Sequence, residues 1–158
     1  MIDGGGGDDS MTGASGNDSI GGGLGNDTII AGGGNDTIAG GDGNDLITLG
    51  AGTAENVDGG LGDDIFSVDG TTLTAADTLI GGGGSDSLSL LSGGSLADTA
   101  FTKVSGIPTI TAAGTATVAL AANAQAAGIA TISAAASTGI TVSGTSAFTN
   151  ALRINLAM

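Results

Sequence analysis

The sequence contains no cysteine, histidine, tryptophan or tyrosine, one proline, and two basic residues in 158. Each absence closes a class of chemistry. Without histidine or cysteine there is no Ser-His-Asp triad, no Cys-His dyad and no thiolate or imidazole zinc site. Without cysteine there is also no disulfide framework, and cysteine usage says nothing about redox compartment. Aromatic residues are 2 % of the chain, so a core of large side chains is not expected, and the 40 % hydrophobic content leans on alanine. No apolar run approaches the ~18 residues of a membrane-spanning helix. The start, MIDGGGGDDS, lacks the basic stretch and apolar run of a secretory signal peptide. Opening inside a repeat is what a piece of a longer protein would do.

What is present is glycine and aspartate, unevenly distributed. Residues 1–89 hold 14 Asp and Glu55 with no Lys or Arg, and 26 of the 33 glycines. Residues 90–158 hold Asp98 against Lys103 and Arg153, so the net charge of −14 belongs to the first part. An uncompensated acidic segment repels itself and stays disordered. It is also a poor partner for nucleic acid or anionic membranes. A counter-cation is required.

The acidic part reads in nines. The units are GGGGDDSMT (4–12), GASGNDSIG (13–21), GGLGNDTII (22–30), AGGGNDTIA (31–39) and GGDGNDLIT (40–48). A degenerate unit, LGAGTAENVD (49–58), carries one extra residue before GGLGDDIFS (59–67) restores the pattern. A four-residue insertion at 68–71 precedes TLTAADTLI (72–80) and GGGGSDSLS (81–89). Position six is Asp in eight of nine units, and position eight is apolar in the same eight. Glycines at positions one, two and four allow positive φ and close approach of neighbouring turns. Asn or Asp at position five suits a left-handed backbone and tight turns. The last three residues of each unit read as a short strand. Its inward residues are Met11, Ile20, Ile29, Ile38, Ile47, Phe66, Leu79 and Leu88. One apolar residue in nine makes a core only when coils stack it into a ladder.

These units resemble the GGxGxDxUx nonapeptides of RTX (repeats-in-toxin) proteins, over residues 4–89. The resemblance implies a parallel β-roll with two nonapeptides per coil and Ca²⁺ between turns one coil apart. One turn supplies carbonyls at positions two and four and its Asp; the next supplies carbonyls at one and three and its own Asp. Six oxygens suit a hard cation. Carried over, the first site joins Gly5, Gly7 and Asp9 to Gly22, Leu24 and Asp27. The second joins Ala14, Gly16 and Asp18 to Ala31, Gly33 and Asp36. The third joins Gly23, Gly25 and Asp27 to Gly40, Asp42 and Asp45. The fourth joins Gly41, Gly43 and Asp45 to Gly59, Leu61 and Asp64, and the fifth joins Gly60, Gly62 and Asp64 to Gly81, Gly83 and Asp86. That gives several ions, about five or more. Sites pairing Asp36 or Asp77 with the degenerate unit depend on a one-residue shift that brings in Glu55 where Ala54 breaks the pattern.

The competing readings are weaker. A flexible acidic linker has no reason to keep an apolar residue two positions after each Asp. Paired carboxylates for acid–base catalysis would need a cleft, and these Asp residues repeat identically. Mg²⁺ sheds water reluctantly and rarely occupies cages made wholly of protein oxygens.

Residues 104–125 align with 126–147 at a period of 22, stacking Ile107 on Ile129, Ile110 on Ile132, Val118 on Ile140 and Leu120 on Val142. A partial third unit, FTNALRINLAM, adds Ile154. Strand-like segments at 107–111, 117–120, 129–133, 139–143 and 152–156 alternate apolar residues with Thr or Ser. The expectation is a wider, calcium-free β-solenoid after a transition coil at 90–103. A short helix over 119–127, ended by Gly128, competes on alanine propensity; the poor helix former TVSGTSAFT one unit later favours strand and corner. Thr109 over Thr131 hints at the threonine ladders that bind ice, but Arg153 occupies the next rung and the face is short. The fold class expected is thus all-β: a parallel β-roll continuing into a β-solenoid.

The combination looks like surface-layer or large adhesin proteins exported by type I secretion. It implies a non-enzymatic, calcium-dependent structural module, extracellular or on the cell surface, whose partners are calcium ions and like subunits or the rest of a larger protein. The alternative is the carboxyl-terminal calcium-binding region of an RTX protease or lipase. Neither HExxH nor GxSxG occurs here.

Overall fold

A computed structural model of the chain describes residues 1–52, 54–91, 94–134, 140–144 and 152–156. Each nonapeptide spends its final residues in a strand, and successive strands fall alternately on two faces. One face is a six-stranded parallel sheet of Ile2–Gly6, Ser19–Leu24, Thr37–Asp42, Asn56–Leu61, Thr78–Gly83 and Val104–Ser105. The other has eight strands: Ser10–Thr12, Thr28–Ile30, Leu46–Thr48, Ile65–Val68, Ser87–Leu90, Thr109–Ala112, Thr131–Ala134 and Arg153–Leu156. Both run parallel throughout, because each coil returns to its own face one turn later. The expected β-roll, continuing into a solenoid, is the observed architecture.

Alternation within these strands sends one residue in two inward. On the first face Ile20, Ile38, Val57 and Leu79 stack on consecutive rungs; on the second Met11, Ile29, Ile47, Phe66, Leu88, Ile110 and Ile132 do so. All are 7 % exposed or less, which turns one apolar residue per nonapeptide into a continuous core. Val57 supplies the rung of the degenerate unit. The pair Thr37↔Asn56 puts that unit one residue out of phase with its predecessor, so the strand keeps its face.

The second part continues the same stack. Leu88 pairs with Ile110, and Thr109↔Thr131 and Thr131↔Arg153 keep the 22-residue step on this face. The other face departs from expectation. Ser95–Leu96, Ala116–Leu120 and Ile140–Gly144 form a third sheet in which Val118 pairs with Val142 and Leu120 with Gly144. Val118 on Ile140 and Leu120 on Val142 are therefore wrong by two residues, and the period there is 24.

The corner between these sheets corrects a second expectation. Residues Ala122–Ala126 form a short helix, the competing reading, ending at Gly128 with φ 86°. Its amino end is held by the carboxylate of Asp98, which accepts from the N–H groups of Ala121 (2.7 Å), Asn123 (3.2 Å) and Ala124 (3.0 Å). Asp98 sits in the 3₁₀ turn Asp98–Phe101 one coil earlier, so the cap is invisible to local propensity. Residue 139 of one expected strand, and 148–151 and 157–158 of the third unit, lie outside the described residues.

Phe66 is fully buried at mid-stack between Ile47 and Leu88. Phe66→Ala should cost about 3–5 kcal/mol, measured by denaturant unfolding in calcium, against less than about 0.5 kcal/mol for the exposed Ile65→Thr.

Candidate metal sites

The first six residues of each nonapeptide carry the chain round the corner, although on the six-stranded face the strand runs on through the first three of them. Positive φ occurs at positions two and four, as in Gly23 (112°) and Gly25 (117°), and the one non-glycine left-handed residue described is Ala14 at position two (72°). Glycine at position one has a different cause. A Cβ on Gly22 would collide with Asp27 Oδ2 and the Gly40 carbonyl oxygen, and one on Gly40 with Asp45 Oδ2 and the Gly59 carbonyl. Along the row of Asp9 position one is thus glycine for space rather than for backbone freedom, while the other row carries Ala31, Leu49 and Thr72 there.

Position five is not left-handed. It builds an outer ladder: Asn26 N–H donates to Asp8 Oδ1 (2.7 Å), Asn44 to Asn26 (2.7 Å), Asp63 to Asn44 (2.7 Å) and Ser85 to Asp63 (2.7 Å). Position six builds an inner ladder of opposite direction. The N–H of each Asp donates to the carboxylate one coil later: Asp9 to Asp27, Asp27 to Asp45 and Asp45 to Asp64 at 2.8 Å, and Asp64 to Asp86 at 2.9 Å. On the opposite side Asp18 donates to Asp36 (2.8 Å), Asp36 to Glu55 Oε2 (3.3 Å) and Glu55 to Asp77 (2.8 Å).

One oxygen of every carboxylate after the first in each row, Asp9 and Asp18, is thereby engaged. The second oxygen, Oδ2 of Asp9, Asp18, Asp27, Asp36, Asp45, Asp64 and Asp86 and Oε1 of Glu55, is buried with no hydrogen-bond partner. Orphaned carboxylate oxygens in two stacked rows are untenable without a positive charge beside them. Backbone carbonyls stack between the same coils, those of position one beside the free Asp oxygens. Position-two and position-four oxygens of one coil (Gly5, Gly7, Ala14, Gly16, Gly23, Gly25, Gly41, Gly43, Gly60, Gly62) lie against the glycines of the next. Position-one oxygens of that next coil (Gly22, Ala31, Gly40, Gly59, Gly81) lie against the glycine below. Position-three oxygens each accept a backbone N–H from the coil before: Leu24 from Gly7, Gly33 from Gly16, Asp42 from Gly25, Leu61 from Gly43 and Gly83 from Gly62. No three acidic side chains converge among the described residues, so backbone carbonyls or water complete any coordination shell. That donor set, all oxygen and part backbone, fits calcium.

The family model of the RTX calcium-binding nonapeptide repeat (4 copies) matches residues 1–20, 21–53 and 72–100, just over half of the chain. The chain belongs to the RTX calcium-binding repeat family. No curated protein and no solved structure matches it.

Within this RTX roll each of the five expected groups has its two acids stacked on adjacent coils, with the later coil's position-one carbonyl beside the earlier acid. Four lie on the row Asp9–Asp27–Asp45–Asp64–Asp86 and one on the row Asp18–Asp36–Glu55–Asp77. Glu55 enters through the one-residue shift, 1 % exposed. Its Oε1 lies toward Gly52 rather than toward the position-one residue of its turn, so both its oxygens serve the Asp36 side. Asp77 differs from the rest. Its Oδ2 accepts from Thr74 N–H (2.7 Å) and Thr74 Oγ1 (3.0 Å), while Oδ1 accepts from Glu55. The gap between Glu55 and Asp77 therefore keeps no free carboxylate oxygen, and Lys103 Nζ donates to the Ala76 carbonyl (3.0 Å) at this end of the row. Asp69 in the insertion is held below the usual carboxylate range by hydrogen bonds from Thr71 and belongs to neither row.

Sequence reasoning missed the outer ladder, the Thr74 closure and Lys103. The spacing Thr74-x-x-Asp77 was a usable signal for the second, since a threonine three residues before Asp closes a local turn.

Without cation, burial and then the neighbouring Asp45, Asp86 and Asp63 charges push Asp64 from 3.8 to about 6; burial and then Asp36 and Asp77 push Glu55 from 4.5 to about 7. Asp45 is also raised, chiefly by burial. Raised carboxylates favour the folded state at low pH and lose that contribution as pH climbs from about 4 to 7. Chelated protein should accordingly lose β signal in circular dichroism as pH rises through this window, and calcium added near pH 6 should release protons, read by a pH indicator in weak buffer. Asp45→Ala, which removes a carboxylate shared by two gaps, should weaken calcium uptake more than Asp42→Ala, whose side chain is exposed and whose carbonyl remains. Equal titrations would mean the register is wrong.

Proposed function

We propose that this chain is a calcium-folded structural module of a secreted bacterial surface protein, of surface-layer or adhesin type, that carries no enzymatic activity of its own. The observation that carries the reading is the double row of orphaned, buried carboxylate oxygens within a stack that has no cation-bearing side chain among them. Such a stack is incomplete as protein alone, and cation binding free energy becomes folding free energy. At sub-micromolar cytosolic calcium the roll would stay unfolded and able to thread a type I secretion channel. Extracellular modules of this ligand type are tuned to about 10⁻⁴–10⁻³ M, the level met after export.

The nearly charge-free solenoid that follows the roll favours a surface role. Its terminal strand, Arg153–Leu156, ends the eight-stranded sheet, and such an end strand suits pairing with like subunits or with the rest of a larger protein. The second reading, the calcium-binding tail of an RTX protease or lipase, has in its favour the family alone; the flanking sequence separates the two.

Circular dichroism of metal-free protein should show a largely disordered spectrum at neutral pH. Millimolar calcium should convert it to β structure, and chelator should reverse the change. Identical β spectra with and without calcium would sink this reading.

A further inference from the structure

We propose that the longer row of cation sites runs one gap beyond the last nonapeptide, ending in a terminal cation site between Asp86 and Gly106. The inference rests on the calcium reading above and concerns a position that lies outside the repeat.

Along this row the unengaged oxygen of each Asp lies beside the position-one glycine of its own turn, together with the position-one carbonyl of the next coil. A Cβ on Gly59 would collide with Asp64 Oδ2 and stand 2.6 Å from the Gly81 oxygen. A Cβ on Gly81 would likewise collide with Asp86 Oδ2 and stand 2.5 Å from the Gly106 oxygen. Gly106 belongs to no nonapeptide, yet with φ 73° it sets its carbonyl where a repeat glycine would. Asp86 is 1 % exposed, its Oδ1 accepts from Asp64, and its Oδ2 has no partner. This is the same arrangement that the inner gaps present, completed from a coil of different sequence.

The coil beyond also explains why the row stops here. The pairs Leu79↔Val104 and Ser87↔Thr109 leave Gly106, Ile107 and Pro108 to turn a corner that takes six residues in the repeat. Ile107 is buried in the core, and Pro108 stands on the rung after Asp86, where a carboxylate would continue the ladder. Gly82 and Gly84 of the last repeat turn are exposed, whereas their counterparts Gly60 and Gly62 are partly covered. By the scheme of the inner gaps the terminal site has Asp86, the Gly82 and Gly84 carbonyls and the Gly106 carbonyl; with no second carboxylate and an open flank, its remaining coordination falls to water. It should bind more weakly than the enclosed sites and hold a more hydrated ion.

Calcium titration calorimetry on the full chain counts the ions. Asp45→Ala should lose both ions that share it, and Asp86→Ala should lose both of its own, whereas Asp9→Ala, at the start of the row, should lose one. Asp86→Ala losing no more than Asp9→Ala overturns the terminal site while leaving the inner ones intact. Asp45→Ala losing none overturns the calcium reading itself. Europium luminescence lifetimes in H₂O and D₂O give an independent measure, with a minor, water-rich class of bound ion expected in the unmodified chain. Pro108→Asp should convert that class to a dehydrated one and tighten it about tenfold; the absence of a water-rich class in the unmodified chain overturns the proposal.

Discussion

The amide-to-carboxylate bond between coils governs this molecule. It sets one acid directly above another at the spacing of parallel strands, about 4.8 Å, for five rungs on one side and four on the other. Coulomb repulsion between such neighbours is several kcal/mol at an intermediate dielectric of about 20, and burial adds to it. A backbone N–H answers half of every carboxylate but the first in each row. The other half is left to a cation, so the feature that aligns the coils is also the one that prevents them from standing alone. Regularity and cation dependence have the same source.

The rest of the architecture accommodates that bond. Glycine at position one makes room for the unengaged oxygen, and glycine at two and four bends the backbone so that carbonyls meet in the gap. A single inward aliphatic residue per nonapeptide suffices because the next coil covers it. Irregularities are absorbed locally. The extra residue of the degenerate unit is matched by a longer side chain, Glu55, and the insertion is tied down by Asp69 with Thr71 and Thr72. Where the shorter row ends, Thr74 and Lys103 satisfy with protein groups what a cation satisfies elsewhere.

Much of this was legible in the sequence because a nine-residue period maps directly onto space: once two units make a coil, Asp9 must meet Asp27 and Met11 must meet Ile29. The same logic located Ile110 over Ile132. It failed where the deciding contact comes from another coil. Asp98 caps Ala122–Ala126 from a full turn away, so alanine propensity alone could not decide for helix; Val118 meets Val142 because the stretch from Thr131 to Ile140 is two residues longer than that from Thr109 to Ala116. Position five was misread because Asn suits a left-handed turn and a side-chain acceptor equally well; the observed backbone selects the second. The occupation of Asp77 by Thr74 depends on the loop left by the insertion at 68–71, whose conformation the repeat does not dictate.

Because strands alternate between two faces, the length of this protein is quantised. Removing or duplicating one early nonapeptide would exchange the faces of everything downstream: Asp86 would join the row that begins at Asp18, and Ile110 would inherit the rung of the wrong sheet. Removing or duplicating a whole coil of two nonapeptides leaves every downstream residue above the same neighbour type. The acidic part can therefore grow or shrink only in even steps, and it can do so without any change to the solenoid stacked upon it.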